Sequence, residues 1–188
     1  MKSAFFTCLF CAAALVAGAA FAEIKDASQL SPEEITKLFE TQKTRGLVIA
    51  PSGGATTEAP AAGTEVAADP GYAQVDPDAQ VNIRISFGFD SAALQESEKV
   101  KLSSLCQALK TTTIPLFKIV GHTDASGSDQ YNQRLSLLRA EEVKRHLVSN
   151  CGIPEGKLQA VGVGEAFPVD PADPRAEANR RVEFQVAS

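Results

Sequence analysis

Asp124 and Arg139 are the two side chains of this 188-residue chain that are best suited to bind a ligand together. Asp124 follows the end of a predicted strand, and Arg139 lies on the helix predicted after it. At helical spacing, Leu135 and Val143 place Arg139 within or at the edge of the apolar stripe of that helix. A guanidinium directed at a core costs several kcal/mol unless it is paired, so an acceptor must lie nearby. Because Asp124 is the nearest candidate acid, we expect both residues to flank one pocket at the C-terminal end of the strand.

The strand, turn and helix that position this pair are contiguous in the sequence. Residues 116–120 show the period-2 pattern of a strand, which stops at the sequence GHTD (121–124). The small and acidic residues that follow indicate a turn. Ser128 or Asp129 can cap a helix over 130–151, which no Pro or Gly interrupts.

The segments around this unit complete a predicted α/β (α+β) domain. A strand is predicted at 81–87, a helix at about 95–110, and further strands at 158–163 and 182–186. The resulting order, β-α-β-α-β-β, predicts a two-layer sandwich in which the helices pack on one sheet.

Four motifs occur in order over residues 81–188: GHTD, YNxxLSxxRAxxVxxxL, GxGE and NRRVEF. This region resembles the OmpA-like peptidoglycan-binding domain family. The resemblance implies a mixed parallel and antiparallel sheet, and non-covalent binding of the diaminopimelate side chain of the peptidoglycan stem peptide. It matches Asp124 to the aspartate that receives the ligand's ammonium, and Arg139 to the arginine that binds a ligand carboxylate.

Further candidate ligand residues follow from the same unit and from the resemblance. Thr123 and Asn132 are expected to supply hydrogen bonds. The turn after the first strand resembles the turn that lines the family's pocket, which adds Phe89, Asp90 and Ser91, although Phe89 could equally be a core or hinge aromatic. The NRR sequence matches a corner of the family's fold, from which Arg180 is expected to reach the ligand. The alternative is that both arginines of that sequence brace the sheet edge.

A second interpretation assigns the pair a purely structural role. Asp124 and Arg139 could form an ion pair that closes the strand–turn–helix corner, since structural ion pairs are common. The domain would then be a structural or protein-interaction module of the cell envelope, with the segment 31–49 binding another envelope protein. If the pair is structural, its substitution should lower the melting temperature. If the pair binds a ligand, its substitution should lower binding.

Catalysis is not expected, and neither is a cofactor or a metal site. His122, Asp124 and His146 are too few and too far apart in sequence for the three well-oriented ligands of a catalytic zinc site. No GxSxG motif is present. Cys106 falls on an apolar helix face, which disfavours a role as nucleophile. We therefore expect a binding protein and not an enzyme.

The N-terminus indicates export. Residues 1–22 combine Lys2, a long apolar run and an A-x-A site, as in a secretory signal peptide. The alternative of an uncleaved anchor remains, because the run is nearly long enough to span a bilayer. Neither Cys8 nor Cys11 follows the small residue of a lipoprotein signal. The expected location is the periplasm or cell envelope, with outer-membrane association as a further option.

Composition divides the rest of the chain. The predicted parts are a signal peptide (1–22), a short helical segment (23–50), a linker rich in Pro, Ala, Gly and acidic residues (51–80) and the binding domain (81–188). Residues 23–80 carry 4 basic and 10 acidic residues, whereas the domain carries 13 of each. No basic stripe for nucleic acid is present. A charge-balanced domain with a local charge pair suits a zwitterionic ligand better than a polyanion.

Two cysteines, Cys106 and Cys151, remain after the predicted cleavage. Export to an oxidising compartment permits a disulfide between them. Free buried thiols are the alternative, because cysteine is often a small core residue.

Overall fold

The computed structural model describes residues 26–46, 72–88 and 91–187. The predicted signal peptide and most of the predicted linker lie outside these residues. Within the described ranges, no helix has both the length and the hydropathy needed to cross a bilayer. The regular elements are the helices α1 (Pro32–Gly46), α2 (Glu96–Lys99), α3 (Ser103–Thr111) and α4 (Asp129–Ser149), and the strands β1 (Val81–Ile83), β2 (Phe117–Gly121), β3 (Leu158–Gly162) and β4 (Val182–Val186).

The four strands form one mixed sheet in the order β1-β4-β2-β3. β4 runs antiparallel to both of its neighbours, and β2 and β3 are parallel. From β1 onward the element order is β-α-β-α-β-β, with α2 and α3 in the place of one helix. The predicted fold class is confirmed.

The helices pack on one face of the sheet. The main core combines α1, α3 and α4 with every second residue of the strands, and the rings of Phe39 and Phe117 lie 4.8 Å apart within it. The opposite face carries a smaller cluster around Val120, against which Tyr72 and Phe167 pack. Residues 72–80, which belong to the predicted linker, therefore lie against the sheet.

α1 is anchored to the domain through its predicted apolar face. Ser31 and Glu34 form a reciprocal capping box, in which each side chain accepts a hydrogen bond from the other's backbone N–H. Ile35 and Phe39 are fully buried. Gln42 donates to the carbonyl of Phe184 and accepts from the N–H of Val186. The apolar face of α1 is thus part of the core and not a free docking surface.

β1 ends at Ile83, so the predicted strand to Phe87 is too long. Beyond Ile83 the backbone groups are satisfied by side chains of the following helical segment. Glu98 accepts from the N–H of Ser86 at 2.9 Å, and Lys101 donates to the carbonyl of Arg84 at 3.1 Å. These bonds replace strand pairing, which a local pattern cannot anticipate.

The predicted helix at 95–110 is divided into α2 and α3 by the 3₁₀ turn Val100–Leu102. Cys106 of α3 is joined by a disulfide to Cys151, which follows α4. α4 begins after Ser128, whose Oγ accepts from the N–H of Tyr131. The helix ends before Gly152, which has a positive φ of 69°.

Candidate functional site

Two glycines let α4 lie directly on the ends of β2 and β3. Gly121 and Gly162 are paired in register. A Cβ at Gly121 would lie 2.1 Å from the carbonyl oxygen of Ser136, and one at Gly162 would lie 2.5 Å from the backbone nitrogen of Leu137. This close approach brings the N-terminal half of α4 over the strand ends, where the candidate residues are.

Hydrogen bonds hold the loop after β2 in place. The N–H of Thr123 donates to the carbonyl of Gly164 at 2.9 Å. Asn132 donates to the carbonyl of Asp124 at 3.2 Å and also to the carboxylate of Glu165. Ser136 Oγ accepts from the N–H of Gly164 at 2.9 Å. Asp124 is therefore fixed by α4 and by the loop after β3.

The carboxylate of Asp124 pairs with Arg180. Its Oδ2 lies 2.6 Å from Nη1 of Arg180, and its Oδ1 accepts from the N–H of Ser126 at 2.9 Å. Burial raises the pKa of Asp124, but the hydrogen bonds from Arg180 and Ser126 outweigh burial, so the pKa lies below its ordinary value. The other terminal nitrogen of Arg180 lies 3.5 Å from Glu177.

Arg139 is buried beside this pair without joining it. Its guanidinium lies over the ring of Phe87, 4.7 Å from the centroid, and Nε donates to the carbonyl of Ser91 at 3.4 Å. Burial lowers the pKa of Arg139, and among its charged neighbours Arg180 lowers the pKa and Asp124 raises it. Among the described residues, the ion-pair partner of Asp124 is Arg180. The corner ion pair considered between Asp124 and Arg139 is thus not the pair that forms.

A cavity of about 100 Å³ borders both arginines. It is lined by Arg139 and Arg180, by the segment 84–87 and by Glu177. Arg139 is buried, whereas Arg180 is partly exposed. The cavity is thus lined by a buried cation and by a more accessible one, and the accessible one is paired with Asp124 and Glu177.

The remaining predicted ligand residues differ in what they contact. Ser91 meets Arg139 through its carbonyl. Thr123 and Asn132 are buried and outside the cavity lining. Thr123 Oγ1 has no hydrogen-bond partner among the described residues. Phe89 and Asp90 lie outside the residues that the structure describes.

Sequence reasoning missed Phe87 and Glu177 as members of this site. The predicted strand at 81–87 includes Phe87, although an aromatic residue directly before a glycine and an acidic turn is also consistent with a pocket wall. Glu177 lies in a Pro-rich loop with no periodic pattern. Glu177 lies in the loop that leads into β4, and it lines the cavity because of the path that this loop takes in the fold.

A second buried polar group lies on the opposite face of the sheet. His122 Nε2 is 3.2 Å from the carboxylate of Glu183, which also accepts from Tyr72 and lies 3.8 Å from Arg181. Burial lowers the pKa of His122 to about 4. Burial raises the pKa of Glu183, but the bonds from His122 and Gln185 hold it below its ordinary value. His122 is therefore a neutral donor to an ionised carboxylate.

Known proteins resemble the part of the chain that contains the site. The sequence profile of the OmpA family matches residues 86–182, just over half of the chain. Outer membrane porin F of Pseudomonas aeruginosa is 38% identical over 109 residues, which cover 57% of this chain and 31% of the porin. Outer membrane protein A of Salmonella typhi is 36% identical over 115 residues, which cover 54% of this chain and 33% of that protein. The chain thus spans about a third of the length of these relatives.

Among solved structures, the peptidoglycan-associated lipoprotein from Burkholderia pseudomallei is 33% identical. The match covers 54% of this chain and 86% of that one, with a TM-score of 0.46.

Proposed function

Because this chain belongs to the OmpA family, we propose that it binds peptidoglycan non-covalently through the diaminopimelate of the stem peptide. In this way it tethers or organises the cell envelope. The observation that carries the proposal is the small cavity that Arg139 and Arg180 line, to which Asp124, itself outside the lining, is linked by its ion pair with Arg180. These are side chains that bind ligands by charge, and no step of bond making or breaking is required of them.

The carboxylate of the ligand's side chain is assigned to Arg139. The buried guanidinium is held by Phe87 and Ser91, and no ion-pair partner is described for it, so an incoming carboxylate supplies the charge it lacks. A guanidinium binds a carboxylate through two parallel N–H···O bonds, which sets both distance and orientation. Arg139 thereby selects ligands with a carboxylate at the end that enters the cavity.

The ammonium of the same side chain is assigned to Asp124. In the structure this carboxylate is already bound by Arg180, whose accessible side chain can be displaced more easily than buried Arg139. The ligand's ammonium then replaces one guanidinium hydrogen bond, and Arg180 becomes free to contact the ligand's carboxylate. A lysine stem peptide offers the ammonium but lacks the second carboxylate, so it satisfies Asp124 and leaves Arg139 unpaired.

An envelope location is part of this proposal. The relatives named above are outer-membrane proteins, and the predicted signal peptide would deliver this chain to the same compartment. The alternative role for the segment 31–49 as a partner-binding helix has less support. The apolar residues Ile35 and Phe39 are buried in the chain's own core, and residues 47–49 lie outside the described ranges.

The test is a pulldown of the protein on purified diaminopimelate-type sacculi, competed with meso-diaminopimelate or with lysine. We expect diaminopimelate to displace the protein and lysine to displace it far less. Arg139→Ala should weaken binding by roughly 10–100-fold, the equivalent of one lost charge-assisted contact.

Arg134→Ala is the matched control, because Arg134 is an exposed arginine on the same helix. It should bind as the wild type does. A well-folded Arg139→Ala protein that binds sacculi with wild-type affinity would refute the assignment. The melting temperature of each variant is measured as well, because losing a structural contact lowers it, whereas losing a ligand contact lowers binding.

A further inference from the structure

Three side chains that bind soft metal ions meet at the end of the molecule opposite the proposed ligand site. Cys106 of α3, His146 of α4 and Cys151 lie with their sulfur atoms and one imidazole nitrogen all within 4.8 Å of one another. Asp124 and Arg180 meet at the N-terminal end of α4, whereas this cluster lies at its C-terminal end. Sequence reasoning grouped His146 with His122 and Asp124, but the fold places it with the two cysteines.

The imidazole of His146 is prepared to act as a ligand. Its Nδ1 is buried and has no hydrogen-bond partner among the described residues. An imidazole is mostly neutral above pH 7, since its ordinary pKa is about 6.5. A metal requires this neutral form, because only an unprotonated nitrogen has a lone pair to donate.

The spacing suits a small tetrahedral ion. Zinc binds thiolate sulfur at about 2.3 Å and imidazole nitrogen at about 2.0–2.1 Å, so its ligand atoms lie roughly 3.5 Å from one another. The imidazole nitrogen lies within 4.8 Å of both sulfur atoms, and reduction lets the two bonded sulfur atoms move apart to the distance that zinc ligands require. Two thiolates and one imidazole favour a thiophilic d¹⁰ cation over calcium or magnesium. The fourth position would be left for water.

We propose that Cys106, Cys151 and His146 form a Zn²⁺ site when the disulfide between the two cysteines is reduced. The reductant is a dithiol, which gives two electrons and two protons to the disulfide and itself becomes a disulfide. The Cys106–Cys151 bond breaks, and two thiols form. Zn²⁺ then displaces the two thiol protons into solvent, two Zn–S bonds form, and His146 donates its nitrogen lone pair.

The two states hold α3 and the end of α4 together by different means. In the oxidised state the disulfide joins them, and in the reduced state the metal does. The reduced protein thereby regains part of the cross-link that reduction removes. Because the cluster is remote from Asp124 and Arg139, this exchange does not depend on the proposed ligand site.

The test is a Co²⁺ and Zn²⁺ titration of the full chain, after reduction by dithiothreitol and its removal without oxygen. We expect the reduced protein to bind a single Co²⁺ with thiolate-to-cobalt charge transfer and the visible bands of a tetrahedral site, and Zn²⁺ to displace it. The oxidised protein should show neither signal. Zn²⁺ should also raise the melting temperature of the reduced protein, because binding to the folded state stabilises it.

His146→Ala should lower the Zn²⁺ affinity of the reduced protein by at least about tenfold, since even changes outside the ligand set cost about 10–100-fold. Its oxidised form retains the disulfide, so a normal melting temperature in that form shows that the variant folds. Glu141→Gln, an exposed residue on the same helix, should retain wild-type affinity. Equal affinity of His146→Ala and wild type, or no melting shift with Zn²⁺ in the reduced protein, would overturn the site.

Discussion

Nη1 of Arg180 lies 2.6 Å from Oδ2 of Asp124, so the charge of this carboxylate is already balanced before any ligand arrives. Asp124 belongs to the loop after β2, and Arg180 lies two residues before the start of β4. The contact therefore joins two neighbouring strands at the same edge of the sheet. The ammonium of the proposed ligand must therefore displace the guanidinium of Arg180 from Asp124, because this carboxylate is already paired.

Removal of the Arg180 charge should raise the pKa of Asp124. Burial alone raises that pKa, and the bonds from Arg180 and Ser126 reverse the effect. In the wild type, the ionised Asp124 stabilises the folded protein at pH values above the ordinary pKa of an aspartate. This contribution is lost as the pH falls through the lowered pKa that Asp124 has in the folded protein. In Arg180→Gln the contribution should shrink or change sign. The measurement is the pH titration of the Asp124 carboxyl carbon by NMR.

Arg175→Gln provides the comparison for that titration. Arg175 is an exposed arginine five positions away, and its side chain makes no described contact with Asp124. Removal of its charge should leave the pKa of Asp124 at the wild-type value. If the Arg180→Gln and Arg175→Gln proteins titrate alike, the ion pair does not control the charge of Asp124.

Local signals in the sequence predicted the local structure of the site well. Ser128 as an N-cap and Gly152 as a helix stop act within a few residues, so a pattern of residue types is sufficient to place them. The burial of Arg139 also followed from helical spacing, because the stripe that contains it packs on the sheet. The same reasoning placed Leu135 on this stripe, although Ser136 is the residue that is fully buried there.

The partner of Asp124 could not be predicted in this way. Arg180 is 56 residues away, and the contact depends on β4 pairing with β2 and on the path of a Pro-rich loop. The early end of β1 has the same origin, because Glu98 and Lys101 reach it from another element. Long-range contacts of this kind leave no periodic trace in the sequence.

Gly121→Ala should destabilise the fold by pressing α4 away from the sheet. The new Cβ would lie 2.1 Å from the carbonyl of Ser136, which is backbone and cannot rotate aside. We expect a loss on the order of 2–4 kcal/mol, as for overpacked core sites. Urea denaturation followed by circular dichroism measures it.

Gly156→Ala is the matched substitution, because no atom lies within 4 Å of a Cβ at that position. It should change stability by less than about 1 kcal/mol. If Gly121→Ala is as stable as Gly156→Ala, then α4 does not rest on β2 as closely as described.

His122 should make the protein less stable in mild acid. Its pKa is lowered from 6.5 to about 4 by burial, so the unfolded chain takes up a proton between these values and the folded protein does not. The stability is complete above pH 6.5 and is lost as the pH falls toward 4, by up to about 3 kcal/mol. His122→Gln keeps an amide donor for Glu183 without a titratable ring. Unfolding free energies in urea at pH 7 and pH 5 should therefore differ less in the variant, and an equal difference in both proteins would contradict this role.

Loss of the disulfide should lower the unfolding free energy of the isolated, metal-free protein. Cys106 and Cys151 are 45 residues apart, and closing a loop of that length in the unfolded chain is worth about 4 kcal/mol in the chain-entropy description. The Cys106→Ser, Cys151→Ser double variant should show this loss in urea denaturation with no reductant present. Wild-type protein treated with reductant and a chelator should show a similar loss.

The double variant also serves as its own control for the reductant. It has no disulfide left to cut, so its urea midpoint should be the same with and without dithiothreitol. If the wild-type midpoint is equally insensitive while thiol titration shows both cysteines reduced, the cross-link adds nothing to stability. If dithiothreitol lowers the urea midpoint of the wild type but not that of the double variant, and the decrease follows the appearance of the two thiols, then the covalent link between α3 and the end of α4 is what stabilises the protein.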